Sequence, residues 1–154
     1  DIKEHKVELK IPENIPVVRC DKIKIAEVFL NLINNAIKFS SKIKDTHPKV
    51  QIGYNDRKDA HEFYVRDNGI GIDNKYHEEI FGIFKRLHKQ EEYEGTGAGL
   101  SIVKKIIDDH KGSIWIDSEL GKGAAFYFTI PKEITWINNW ASFLSRPATF
   151  PRRM

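Results

Sequence analysis

AEVFLNLINNAIKFS, residues 26–40, carries two signals at once. Val28, Phe29, Leu32, Ile33, Ala36 and Ile37 recur at helical intervals, which predicts an amphipathic helix. Asn31, Asn34 and Asn35 sit in its middle, although asparagine's amide competes for backbone hydrogen bonds and makes it a mediocre helix former. Asp21 is a suitable cap for a helix over residues 22–42. On a helix turning about 100° per residue, Lys24, Glu27, Asn31, Asn35 and Lys38 fall in one stripe, opposite the aliphatic side. Two readings stand open for that stripe. It is a solvated helix face, or it is a row of groups aimed at a ligand. Amide oxygens are hard, neutral ligands that suit Mg²⁺, which usually shares its sites with substrate phosphates. A lysine beside them would meet a phosphate as a point charge.

Downstream, EFYVRDNGIGI (62–72) reads as a strand that delivers Asp67 at its end, followed by Gly69 and Gly71. Glycine permits positive φ and close backbone approach, and Asp67 there could accept a hydrogen bond from an amino group such as adenine N6. Asp-Asn-Gly is also a common turn, so this alone leaves both readings open. EGTGAGLSIV (94–103) places Gly95, Gly97 and Gly99 before a second amphipathic helix, over 100–110. Free backbone N–H groups and the helix dipole favour phosphate at such a start. The Gly-Lys-Ser/Thr of a Walker A loop is missing. KQEEYE (89–94) is not the apolar strand a dinucleotide fold needs, and the companion motifs of a protein kinase do not occur. An ATP site made of an amide-bearing helix, a DxGxG loop and a glycine-rich lid survives.

The rest of the chain frames that site. HKVELKI (5–11), VVRC (17–20), KVQIGY (49–54), EFYVRD (62–67), SIWIDS (113–118) and AAFYFTI (124–130) read as strands, and KYHEEIFGIFKRL (75–87) as a third helix. The expected fold is α+β: a two-layer sandwich with a mixed, mostly antiparallel sheet of about five strands, covered on one face by three helices. The chain has 154 residues, 40% hydrophobic and 31% charged, an ordinary globular balance for one domain. A net charge of +3 is too small and too dispersed to argue for a nucleic-acid surface. Cys20 is alone, so no internal disulfide forms and a reducing compartment is the simpler expectation. No apolar run approaches the length of a membrane helix and no signal peptide is visible. The chain starts at Asp1, not Met, and is expected to be a piece of something longer. Residues 1–131 are expected to form the domain. Residues 132–154 form a tail with two of the three tryptophans, either a remnant or an amphipathic segment that docks on the domain or a neighbour.

Taken in order, these segments resemble the ATP-binding catalytic domain of sensor histidine kinases, of the GHKL (Bergerat) fold shared with gyrase, Hsp90 and MutL ATPases. NLINNAIKFS resembles the N box, DNGIGI the G1 box, IFGIFKR the F box, GTGAGL the G2 box and GKGAAFYFTIP the closing G3 strand. RLHKQEEYEGTGAGLSIVKKIIDDHKGSIW is similar to kinases of the phytochrome-like and PAS-linked branch. The resemblance covers roughly residues 5–131.

It implies a role for each matching residue. Asn35 would bind Mg²⁺ through its amide oxygen. Asn31 would line the triphosphate, where GHKL ATPases hold a catalytic Glu; an amide cannot act as a base, which suits a kinase that saves its phosphoryl group for a protein. Lys38 and Arg86 would contact phosphates, and with Asn31 make up the catalytic set. Asp67 would read the adenine amino group, with Gly69 and Gly71 giving it room and Ile72 beside them. Gly95, Thr96, Gly97, Ala98, Gly99 and Leu100 would wrap the phosphates, KQEEYE would be the mobile lid, and Phe81 and Phe84 would anchor it or pack in the core. Three departures are Gly82 for the usual F-box Glu, Ala98 for Leu or Ile, and Ala124 for Thr or Ser; none removes a phosphate or metal ligand.

The implied activity is transfer of the ATP γ-phosphoryl group to a histidine on a dimerisation domain absent from this chain. Of the six histidines, His5, His47, His61, His77, His88 and His110, only His77 precedes an acid, and it lacks the expected following Pro, so all six read as surface or structural. The implied cofactors are ATP and Mg²⁺. The implied partners are the phosphoacceptor helical hairpin of the parent kinase and a response-regulator receiver domain, with no nucleic acid and no direct membrane contact. The isolated domain would be monomeric and cytoplasmic, whether the parent is soluble or membrane-tethered. Competing readings are an anti-sigma-factor serine kinase, a module that binds ATP without transferring it, and a GHKL hydrolase; Asn31 argues against the first and the last.

Overall fold

A computed structural model describes residues 6–82 and 99–133 of the chain. Within them lie strand β1 (Glu8–Lys10), helix α1 (Lys22–Ser40), strands β2 (Lys49–Asp56) and β3 (Ala60–Asp67), helix α2 (Gly99–Asp109), and strands β4 (Ile114–Ser118) and β5 (Ala124–Pro131). They form one five-stranded sheet in the order β1-β2-β3-β5-β4. Only β1 runs parallel to its neighbour β2; the other pairings are antiparallel.

Local chemistry explains the elements. The Asp21 carboxylate accepts from the Lys24 N–H at 3.1 Å, satisfying one of the orphan donors of α1's first turn. The Asp21 N–H in turn donates to His110 Nε2 at 3.1 Å, and His110 Nδ1 lies 2.8 Å from the Ile106 carbonyl. Because a backbone N–H can only donate, this pairing assigns the ring proton to Nδ1. His110 thus ties the start of α1 to the end of α2, a structural role. Strands β2 and β3 alternate, with Val50, Phe63 and Val65 inward and Gln51 and Arg66 outward. Phe29 of α1 meets Phe63 and Phe128 edge-on at centroid distances of 5.7 and 5.2 Å. Val28, Leu32, Val50, Val65, Val103, Ile107 and Phe128 are fully buried between the helices and one face of the sheet.

Two expected elements differ. VVRC is not a strand: Val18 and Cys20 pack against the core while Val17 is 98% exposed, so the side chains alternate, but no strand among the described residues pairs with it. The third helix is also corrected over its described part. Residues 75–82 make two short 3-10 turns, Asn74–Tyr76 and Glu79–Phe81, closed by i to i+3 bonds from His77 N–H to the Asn74 carbonyl and from Gly82 N–H to the Glu79 carbonyl. Gly82 then turns extended, at ψ 151°, which ends the second turn. The described residues therefore carry two α-helices on the sheet. The tail, residues 134–154, lies outside them.

Candidate functional site

Asp67 is the last residue of β3 and is 5% exposed. Its carboxylate accepts from the Gly69 N–H at 2.7 Å and from the Ala124 backbone. Burial nevertheless dominates and pushes its pKa up to about 6; the two backbone donors only partly offset it. A carboxylate so placed is short of donors and poised to accept one.

The loop after it is held by its own neighbours. The Asn68 side chain accepts from the Lys49 N–H at 2.8 Å and donates to the His47 carbonyl at 2.9 Å. The Ile72 N–H donates to Ser118 Oγ at 2.8 Å, and that hydroxyl donates to the Gly123 carbonyl at 2.7 Å. The Gly121 N–H donates to the Ile70 carbonyl at 2.7 Å. Gly71 has φ +70°, and a Cβ on it would come within 2.1 Å of the Glu119 carbonyl oxygen. A Cβ on Gly69 would meet the Asp67 carboxylate at 2.7 Å and the Phe39 backbone at 2.8 Å. The glycines are thus required by the protein's own backbone, apart from any ligand. Sequence reasoning missed the part played by Ser118 and the 119–124 turn. The available signal was a hydroxyl at the inward-facing end of β4.

Of the polar stripe on α1, Lys24 is exposed at the first turn. Glu27, Asn31, Asn35 and Lys38 are all half-buried, at the border between core and surface, whereas Asn34 is exposed. Asn31 Nδ2 donates back to the Glu27 carbonyl at 3.0 Å, and its Oδ1 faces Gly99, 3.0 Å from where a Cβ there would stand. So α1 touches the Asp67 loop through Phe39 and the start of α2 through Asn31. Eight residues separate those two contacts, about 12 Å along the helix. The first N–H groups of α2 have no intrahelical acceptor.

Of the expected site residues, Gly99 faces Asn31 of α1 and Gly69 lies against Phe39 of α1 and the Asp67 carboxylate; Asn35 and Lys38 lie on α1 between those two contacts, and Gly71 packs against the Glu119 and Gly123 backbones. Ile72 is buried and Leu100 packs against the core. Phe81 sits edge-on to Phe126 at 6.3 Å, which is core packing. Phe84, Arg86, Gly95, Thr96, Gly97, Ala98 and the KQEEYE segment lie outside the described residues.

Residues 20–134 match the model of the histidine kinase-, DNA gyrase B- and HSP90-like ATPase family. Cyanobacterial phytochrome B from a Nostoc species is 52% identical over 131 residues, covering 84% of this chain but 17% of that protein. Among solved structures, the nucleotide-free catalytic domain of histidine kinase ThkA superposes with a TM-score of 0.71 at 32% identity, covering 85% of this chain and 82% of that one. ThkA in complex with the response regulator protein TrrA matches with a TM-score of 0.67 at 28% identity, covering 86% of this chain and 36% of that one.

Proposed function

The chain belongs to the histidine kinase-, DNA gyrase B- and HSP90-like ATPase family, as the catalytic domain of a two-component sensor histidine kinase, and from that premise we propose that it holds Mg-ATP along α1 and passes the γ-phosphoryl group to a histidine on a helical domain outside this chain. The observation that carries the reading is the pair of contacts at the two ends of α1's polar line, Asp67's loop at Phe39 and the start of α2 at Asn31.

The adenine amino group would donate to the ionised Asp67 carboxylate, which holds a fixed direction because Gly69 N–H grips it. The triphosphate would lie along Asn35 and Asn31 toward the N–H groups opening α2. Among the described residues no cluster of His, Cys, Asp or Glu could hold a metal. The donors that would suit Mg²⁺ on α1 are the Asn35 amide oxygen and the phosphates themselves. When bound, the metal offsets charge on the transferring phosphoryl group. Lys38 and Arg86 would contact phosphate oxygens, and Gly95 to Leu100, including Thr96 and Ala98, would close over them. Asn31 has no titratable oxygen to deprotonate water, so hydrolysis would be slow and the phosphoryl group kept for the protein acceptor. The acceptor would be the histidine of a dimerising hairpin, and the next recipient a response regulator, as in the ThkA–TrrA complex. We place the domain in the cytoplasm, as the likeness to sensor kinase catalytic domains implies. Among the described residues no helix is long and apolar enough to cross a membrane.

Calorimetry with a non-hydrolysable ATP analogue, with and without Mg²⁺, tests the reading. Asp67→Asn should lose at least about tenfold in affinity, from one charge-assisted bond. Asn35→Ala should keep nucleotide binding but lose its Mg²⁺ dependence. A folded chain that binds no nucleotide would overturn the assignment. Binding without transfer to any cognate hairpin would favour a nucleotide-sensing module.

A further inference from the structure

The sheet has a second face, and both helices pack on the other one. On this outer face Tyr64, Tyr127 and Trp115 form a ladder across β3, β5 and β4. Trp115 stacks on Tyr127 at 5.5 Å with an interplanar angle of 4°, and Tyr127 lies 5.4 Å from Tyr64. Arg66 braces the ladder, its guanidinium 5.1 Å from the Tyr64 ring centroid and donating to the Tyr127 hydroxyl at 3.1 Å. The Tyr64 ring leans over Gly53, where a Cβ would come within 1.8 Å of it. Trp115 remains 39% exposed.

We propose that this aromatic shelf is covered by the chain's own C-terminal segment, residues 134–154. Three observations select that occupant over a second copy or a foreign partner. The segment leaves from β5, the strand that supplies Tyr127, and the last backbone bond at that end runs from Lys132 N–H to the Asp59 carbonyl. At helical rise, Trp140 stands about 10 Å and Leu144 about 16 Å from Glu133; Tyr127 lies four strand residues, about 13 Å, back from Pro131. Second, Trp136, Ile137, Trp140, Ala141 and Leu144 recur at one-sided spacing, so the segment carries an apolar stripe of its own to bury. Third, a segment tethered at the edge of the shelf has an effective concentration near the millimolar range, which untethered partners do not match. The family match stops at residue 134.

Trp115, Trp136 and Trp140 are the only tryptophans, which makes the test direct. Two full-length variants retain Trp115 alone: Trp136→Phe with Trp140→Phe, and Trp136→Asp with Trp140→Asp. Acrylamide quenching of Trp115 is measured in both. The phenylalanine pair keeps an apolar segment and should leave Trp115 protected; the aspartate pair should raise the quenching constant about twofold or more and shift emission to the red, because a large aromatic surface is uncovered. Leu144→Asp in the phenylalanine background should do the same, and serves if the aspartate pair fails to fold. Equal quenching in all variants would overturn the proposal. So would protection that survives the aspartates and grows with protein concentration, which would assign the shelf to a second copy.

Discussion

In Asp67 a single buried carboxyl couples folding to pH and, in the proposed function, to ligand binding. Its pKa is about 6 in the folded domain against an ordinary 3.8, so the folded state holds this proton more tightly than the unfolded state. Its stabilising effect is therefore fully present below pH 3.8 and is lost as pH rises through about 6, a cost of roughly 3 kcal/mol at neutral pH. Asp67→Asn should escape that cost. Chemical denaturation at pH 5 and pH 7.5 should show the variant gaining stability relative to the parent as pH rises, even though it binds nucleotide poorly. Ligand binding has the opposite preference. An amino donor favours the ionised carboxylate, so nucleotide affinity should fall by up to about tenfold per unit below pH 6, a slope absent from Asp67→Asn measured alongside.

Ser118 belongs to the same scale. Its hydroxyl both accepts from Ile72 N–H and donates to the Gly123 carbonyl. Ser118→Ala would leave a buried N–H and a buried carbonyl unpaired, at about 1–3 kcal/mol each before the loop relaxes. The expected result is a lower melting temperature together with weaker nucleotide binding, although Ser118 need not touch the nucleotide. Ser118→Thr keeps the hydroxyl and should restore most of both.

At the scale of the element, α1 answers the question its asparagines raise. Two of the three lie in the half-buried line with Glu27 and Lys38, and the third, Asn34, faces solvent. They should therefore separate cleanly. Asn34→Ala should be neutral or stabilising by a few tenths of a kcal/mol, because alanine is the better helix former, with nucleotide binding unchanged. Asn35→Ala should gain similarly in helix propensity yet lose the Mg²⁺ response. If Asn34→Ala instead abolished binding, the polar line would have been drawn on the wrong side of the helix. The N-terminal end of α1 makes a second point. Asp21 caps the helix with its side chain and reaches His110 with its backbone N–H. Asp21→Ala should cost about 1 kcal/mol through the cap alone.

At the scale of the molecule, the site is a seam between parts of the chain distant in sequence. The DNGIGI loop is clamped by the 118–124 turn, α1 spans from that loop to α2, and His110 locks the two helices together. The proposal for the whole is phosphoryl transfer. With Mg-ATP and a cognate dimerising hairpin supplied separately, this chain should generate acid-labile phosphohistidine on the hairpin, while steady-state ATP hydrolysis stays slow. Asp67→Asn should suppress both reactions by the same mechanism, loss of nucleotide.

Much of this was legible in one dimension. The α1 helix, its Asp21 cap and its polar stripe follow from short-range physics: 3.6-residue periodicity and the hydrogen-bonding needs of a helix end. The β2–β3 hairpin and the β4–β5 pair follow from alternation and turn residues, and the mixed, mostly antiparallel sheet from their order. Neighbouring strands and tertiary contacts decided the rest. VVRC alternates like a strand but pairs with no strand among the described residues, and residues 75–82 have the apolar spacing of a helix yet close i to i+3 bonds before Gly82 extends. Gly69 and Gly71 stand out in the sequence as glycines near a ligand. Only the folded chain reveals that the Phe39 and Glu119 backbones occupy the space a side chain would need, that Ser118 ties the loop down, and that burial lifts Asp67 to a pKa near 6. Each depends on what lies across from a residue, which periodicity does not encode, because desolvation and steric exclusion arise between segments and not along them.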